Sequence, residues 1–243
     1  VTIFHRPGEQ ISETPEDLIL PVEVQILAWE KARRMMSWDI KRQMFERIAE
    51  PPSLTQTERT MGFVGPALFY GFGDDGAGNA DCVLSGKTAW EYARKRLGRK
   101  IWQSPHIDFE RADTIRLRPA APTRPKGFYF ALINPGRQFL ASSVSEARKK
   151  FNATTGFASE GFQLLCITHP HLPDLMSERK IPFMALADYD VAPYGFNDFF
   201  DAPQLFSSNR ILGLGIGNVE YNYPGFGIPA MIIRLESLGK KPR

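Results

Sequence analysis

Six short apolar runs, at residues 61–72, 114–117, 127–133, 181–187, 210–216 and 228–235, are set among stretches of helical periodicity in no regular alternation. Runs of this length, bounded by Gly, Pro and Asn, suit strands of a sheet. A doubly wound parallel sheet needs a crossover helix after each strand, and that order is missing. The pattern predicts an α+β fold: a mixed, largely antiparallel sheet with a long N-terminal amphipathic helix and several shorter helices packed on it.

The long helix is expected over residues 22–49. Val22, Ile26, Trp29, Met36, Ile40, Met44 and Ile48 recur at three- and four-residue steps, and Glu23, Glu30, Arg34, Lys41 and Arg42 fall on the other face. One apolar stripe of this kind buries itself against a core, so Trp29 and Met36 read as core. Pro21 suits the first turn, where its missing N–H costs nothing, and Pro51-Pro52 ends the pattern. Shorter helices are expected at 88–97, stopped by Gly98, and at 143–151, where Ser142 or Ser143 with Glu146 can form a capping box. Two more are expected at 159–168 and 173–179. Residues 82–84 read as a short strand, 73–79 as a loop, 1–20 as irregular, and 189–209 as a long packed loop. Residues 101–111 have no decisive period. Pro119, Pro122 and Pro125 make a stiff connector and mark the one candidate boundary. Each half alone has too few strands for a sheet, so residues 1–243 read as a single domain.

A chain of 243 residues, 43% hydrophobic and 23% charged, can bury a sizeable core and lies outside the disordered class. No run approaches the roughly 20 apolar residues that cross a bilayer, and the first residues lack the basic-then-apolar order of a secretory signal. Cys82 and Cys166 belong to no CxxC pair, which argues against a disulfide framework or a cysteine zinc site and for a reducing, cytoplasmic location.

Charge is unevenly distributed. Residues 87–150 carry 15 Lys and Arg against 5 Asp and Glu, whereas residues 1–86 carry 8 against 13 and residues 151–243 carry 7 against 9. A basic centre between acidic flanks either binds an anionic partner or is cancelled by those flanks when they pack beside it.

Four motifs bear on chemistry. Residues 81–88 read Asp-Cys-Val-Leu-Ser-Gly-Lys-Thr, close to a phosphate-binding loop, but Asp81 stands where the first glycine belongs, and a carboxylate there repels an anion. What remains is weak anion binding at a helix N-terminus, assisted by Lys87 and Thr88. Arg116 and Arg118 alternate with Ile115 and Leu117, placing both on one face of a strand, and Arg124 and Lys126 follow beside Phe128, Tyr129 and Phe130. Cations next to aromatics are the ingredients of a single-strand nucleic-acid surface. His169-Pro-His171 with Asp188 and Asp190 supplies ligand types suited to a divalent metal. Gly213, Gly215 and Gly217 lack the dinucleotide-binding spacing and read as close strand packing. No GxSxG elbow is present, and Cys166, three residues before His169, reads as a buried thiol.

The leading expectation is a non-catalytic binding protein that engages nucleic acid, a nucleotide or another anionic ligand through residues 87–150, using Lys87, Thr88, Arg116, Arg118, Arg124 and Lys126. It needs no cofactor and no membrane. The alternative is a metal-dependent hydrolase holding a divalent ion on His169, His171, Asp188 and Asp190. A third reading is a structural or regulatory protein that associates with its own copies through the charge asymmetry.

Overall fold

The apolar runs assemble into two sheets in a computed structural model, which describes residues 18–111, 113–136, 139–150, 156–178, 181–193 and 198–233. In the first sheet, β1 (Val64–Gly71) and β10 (Ala230–Ile233) flank β4 (Gly127–Asn134), all antiparallel. The second contains β2 (Ile101–Gln103), β3 (Ile115–Leu117), β5 (Phe183–Ala185), β6 (Tyr189–Val191), β7 (Asp201–Ser208), β8 (Ile211–Asn218) and β9 (Phe226–Gly227). Its order is β2-β8-β7-β5-β9, with β6 joining β7 to β3; only β2–β8 and β5–β9 are parallel. Strands from both sides of the proline connector therefore share each sheet. The fold is α+β with a mixed, largely antiparallel strand arrangement.

The helices are α1 (Val22–Met36), α2 (Arg42–Phe45), α3 (Gln56–Thr60), α4 (Cys82–Leu97), α5 (Val144–Lys150), α6 (Ser159–Gln163) and α7 (Leu172–Ser177), with a π-helical turn at Leu164–Thr168 continuing α6. Among the described residues no helix is long and apolar enough to cross a membrane. The capping box expected before α5 forms: Ser143 Oγ accepts from Glu146 N–H at 3.1 Å, and Glu146 Oε2 accepts from Ser143 N–H at 3.1 Å.

Three elements differ from the sequence expectation. The N-terminal helix stops at Met36, because Ser37 turns left-handed at φ 56° and closes it. The chain then folds back, bringing the Trp38 ring 5.0 Å from Phe72 and 6.2 Å from Trp29, and burying Ile40. The apolar rhythm beyond residue 36 thus reflects core contacts made without a continuing helix. Residues 82–84 are the first turn of α4, whose N-cap is Asp81, with its carboxylate accepting from Leu84 N–H at 2.9 Å. The expected loop at 189–209 contains β6 and all of β7. Pro203, in the middle of β7, lacks the N–H that marks a central strand, and its carbonyl instead accepts from Leu186 N–H at 2.8 Å. The expected irregular start before Leu18, and the outer ends of the elements expected to reach residues 151, 179 and 235, lie outside the described residues.

The β7–β8 hairpin turns at Asn209 and Arg210, both with positive φ, as a two-residue turn matched to strand twist requires. The glycines of β8 serve close packing, as expected. A Cβ at Gly213 would lie 2.2 Å from the Phe206 ring, so the ring occupies the space a side chain would need.

Among the described residues no strand lies beside the outer edge of β1, and helix side chains satisfy its backbone instead. Gln25 Nε2 donates to Pro66 O at 2.9 Å and Gln25 Oε1 accepts from Leu68 N–H at 2.7 Å. Trp29 Nε1 and Thr168 Oγ1 both donate to Leu68 O, at 3.0 and 2.6 Å. The Gln163 amide spans the next position, accepting from Tyr70 N–H at 2.9 Å and donating to Tyr70 O at 2.8 Å. Ser85 Oγ accepts from Phe72 N–H, and Asp81 N–H donates to Phe72 O, each at 2.9 Å. A side-chain amide can both donate and accept, as a peptide group does, so a buried glutamine stands in for one residue of a neighbouring strand. Replacing Gln25 or Gln163 with Leu keeps the volume but takes the partner from at least two main-chain groups. Each variant is expected to lose about 2–4 kcal/mol in urea unfolding, at about 1–3 kcal/mol per orphaned group. A loss below about 1 kcal/mol in both would mean that water reaches this edge.

Candidate functional site

The arginines expected to bind an anion and the aspartates expected to bind a metal meet in one ionic cluster. The β3–β6 register sets Arg116 opposite Asp190 and Leu117 opposite Tyr189. Arg116 lies 3.9 Å from Asp190, and Arg118 lies 4.0 Å from Asp188. Arg124, carried inward by the proline connector, is 1% exposed. Its Nε donates to Glu160 Oε1 and its Nη2 to Asp188 Oδ2, both at 2.6 Å, and Nη1 donates to Pro122 O. Burial alone would depress the Arg124 pKa, but the facing Glu160 and Asp188 carboxylates outweigh it and the group is held firmly protonated. Tyr129 Oη also donates to Glu160 Oε1, at 2.6 Å; its own ionisation is pushed far up by burial and then by the Glu160 charge.

A fourth arginine completes the cluster. Arg148 of α5 bonds Asp190 at 3.0 Å and donates to the carbonyls of Ala187 and Tyr189 at 2.9 and 2.8 Å. It thereby fixes the backbone that carries both aspartates. Arg118 is less well served: its Nε and Nη2 are sealed from water without a hydrogen-bond partner. Arg116 stays half exposed, stacked 3.6 Å over the Phe199 ring. Four arginines therefore face three carboxylates, with Arg116 and Arg118 reaching them from before the proline connector and Arg148 from after it, and Arg124, Glu160 and Asp188 are sealed in the interior.

The remaining sequence candidates are placed elsewhere. Lys87 pairs with Glu110 at 2.5 Å, and Thr88 Oγ1 donates to Leu84 O at 2.7 Å. Both lie inside α4, whose N-terminus is already capped by the Asp81 carboxylate. At Gly86, a Cβ would come 2.5 Å from the Tyr189 hydroxyl, so this glycine serves helix packing. Lys126 pairs with Asp74. His169 is fully buried, its Nδ1 accepting from Leu20 N–H at 3.4 Å, and its ring lies 6.0 Å from that of His171. Among the described residues no three His, Cys, Asp or Glu side chains group to hold a metal ion, so His169, His171, Asp188 and Asp190 do not converge. Cys82 and Cys166 are both free, and burial pushes each thiol up to about 12.

One surface of the basic segment was not singled out by the sequence motifs. Arg94, Lys95, Arg96, Arg99 and Lys100 crowd the end of α4 and the turn into β2, and among the described residues none of them lies in an ion pair. All but Arg96 are exposed. Arg96 donates to the carbonyls of Cys166 and Pro170, at 3.0 and 3.4 Å, tying this end of the helix to the π-helical turn. The ridge separates two surface clefts. One, of about 740 Å³, has Arg96, Lys100 and Arg210 on its walls together with Asp174 and Glu178. The other, of about 760 Å³, is bordered by Arg94 and Trp102. The signal available in the sequence was local density, with five cations in seven residues, and not any motif.

No family model matches the sequence, and no curated protein or solved structure is significantly similar to it.

The buried charges predict two outcomes. Arg124→Met removes the cation bonded to both buried carboxylates, Glu160 and Asp188, and is expected to cost about 3–5 kcal/mol in urea unfolding. Adding Glu160→Gln to that variant should cost less than Glu160→Gln costs alone; strict additivity would mean that the pair is not coupled. His169 supplies a pH dependence. Burial, and secondarily His171, lower its pKa from 6.5 to about 3, so the unfolded chain takes up the proton first. Its contribution is complete above pH 6.5 and is lost as pH falls toward 3. Between pH 6.5 and 5 the parent chain should lose about 1–2 kcal/mol more stability than His169→Gln, from about 1.4 kcal/mol per pH unit. Parallel slopes in urea titrations would show that His169 does not titrate differently on folding.

Proposed function

We propose that this chain is a non-catalytic binding protein for an anionic polymer, with nucleic acid as its partner, and that it binds through the end of α4 and the start of β2. The observation that supports this reading is the ridge of five cations at 94–100, which has no carboxylate partner among the described residues. The distinction is physical. Lys87, Arg116, Arg118, Arg124 and Lys126 each have a protein carboxylate within 4.0 Å. An anion would have to displace that carboxylate to bind them. An exposed, unpaired cation holds only mobile ions, and a phosphate chain that replaces them gains from their release. The basic centre of the sequence thus divides into cations paired with protein carboxylates and cations left without one among the described residues.

The reading is tested by anisotropy of labelled single-stranded DNA and RNA across a salt series. Affinity should fall steeply as salt rises. The triple variant Arg94→Ala, Arg99→Ala, Lys100→Ala should weaken binding at least about tenfold and reduce the slope of log affinity against log salt by about 2, at about 0.7 per phosphate contact on a single strand. Binding that is absent at low salt, or unchanged in the triple variant, would overturn the proposal.

A further inference from the structure

Resting on the nucleic-acid reading, we infer that the cleft beside Trp102 receives a single nucleobase, so that the partner is a single strand whose phosphates lie on the 94–100 ridge. Trp102 is 47% exposed, unlike the sealed Trp29 and Trp90. It sits on β2, the outermost strand of its sheet, opposite Gly213 of β8. The glycines at 213 and 215 carry no side chain, and the indole is braced by the Phe206 ring at 5.8 Å. An aromatic plane that is open to solvent yet held in place is a stacking platform, and it costs little ordering on binding.

The rest of the cleft suits the same occupant. Trp90 and Ile107 are buried apolar residues that line it, and Arg94, from the cationic ridge, stands on its border. The cleft volume of about 760 Å³ accommodates a base with its sugar. Two polar groups in it keep unused capacity. Ser104 Oγ accepts from His106 N–H at 3.3 Å, and among the described residues it donates its own proton to none. Asp108 Oδ1 accepts from Glu110 N–H at 2.9 Å, which leaves Oδ2 as an open acceptor. A carboxylate in reach of a stacked base accepts from an exocyclic amino group, as acidic side chains do from cytosine N4. Uracil and thymine have no such amino group. The cleft should therefore favour cytosine and adenine over thymine.

The experiment compares twelve-residue oligo-dC, oligo-dA and oligo-dT with end-labelled linear polyphosphate, on the full chain at one salt concentration. The parent chain should bind all four and prefer oligo-dC and oligo-dA to oligo-dT. Trp102→Ala should weaken oligo-dC and oligo-dA by about 5- to 100-fold, the range for losing one base–aromatic stack, without changing polyphosphate affinity. Trp102→Phe should restore most of that loss, which a folding defect would not. Asp108→Asn should remove the preference for amino-bearing bases. If Trp102→Ala leaves the oligonucleotides unaffected, or weakens polyphosphate equally, the base site is wrong while the cationic ridge stands. If neither oligonucleotide nor polyphosphate binds the parent chain, the ridge reading fails and the base site with it.

Discussion

The unpaired edge of β1 organises this fold. A strand buried on that side has to find partners for a row of main-chain groups, and α1, α6, the π-helical turn and α4 all supply them. Each helix is thereby fixed along the strand at a residue-level register that apolar packing alone would not impose. The same arrangement protects the edge from pairing with another chain, because its donors and acceptors are already used. Two buried glutamines carry most of this role. The demand on them explains why α1 buries a polar residue, Gln25, in the stripe where an apolar one would be expected.

The second organising feature is charge. Residues drawn on by rival functional readings turn out to neutralise one another: arginines from the connector and β3 meet aspartates at β6. The acidic flanks thus cancel part of the basic centre, as one of the two sequence alternatives held, and that cancellation reaches into the core. Among the described residues it leaves uncompensated Lys149 and Lys150 of α5 and, in greater density, the segment that also ends α4, where cations additionally complement the helix dipole.

Fold class and most elements were legible because periodicity reports burial directly. Trp29, the capping box at Ser143 and the glycine packing of β8 follow from local pattern alone. Two of the three misplaced elements, the end of α1 and β7, share a cause: a local rule was overridden by a tertiary contact. The stripe beyond Met36 continued because Trp38 and Ile40 return to the same core after a turn. β7 was hidden by Pro203, whose carbonyl still serves the sheet. The site was less legible than the fold. Alternation singled out Arg116 and Arg118, but whether a cation is free depends on which carboxylate the chain brings back from more than sixty residues away, as Asp188 is brought to Arg124.

The π-helical turn carries a consequence of a different kind. Its signature is His169 N–H bonded to Leu164 O at 2.9 Å, a five-residue step. Gln163 and Thr168 stand five apart, and in an ordinary helix, at about 100° per residue, they would point well away from each other. The widened turn lets both reach neighbouring positions of β1. The number of residues between them is therefore constrained independently of what those residues are. Within 164–167 the side chains can be exchanged for others of similar bulk, but gaining or losing one residue would rotate Thr168 off the strand it serves and His169 away from Leu20.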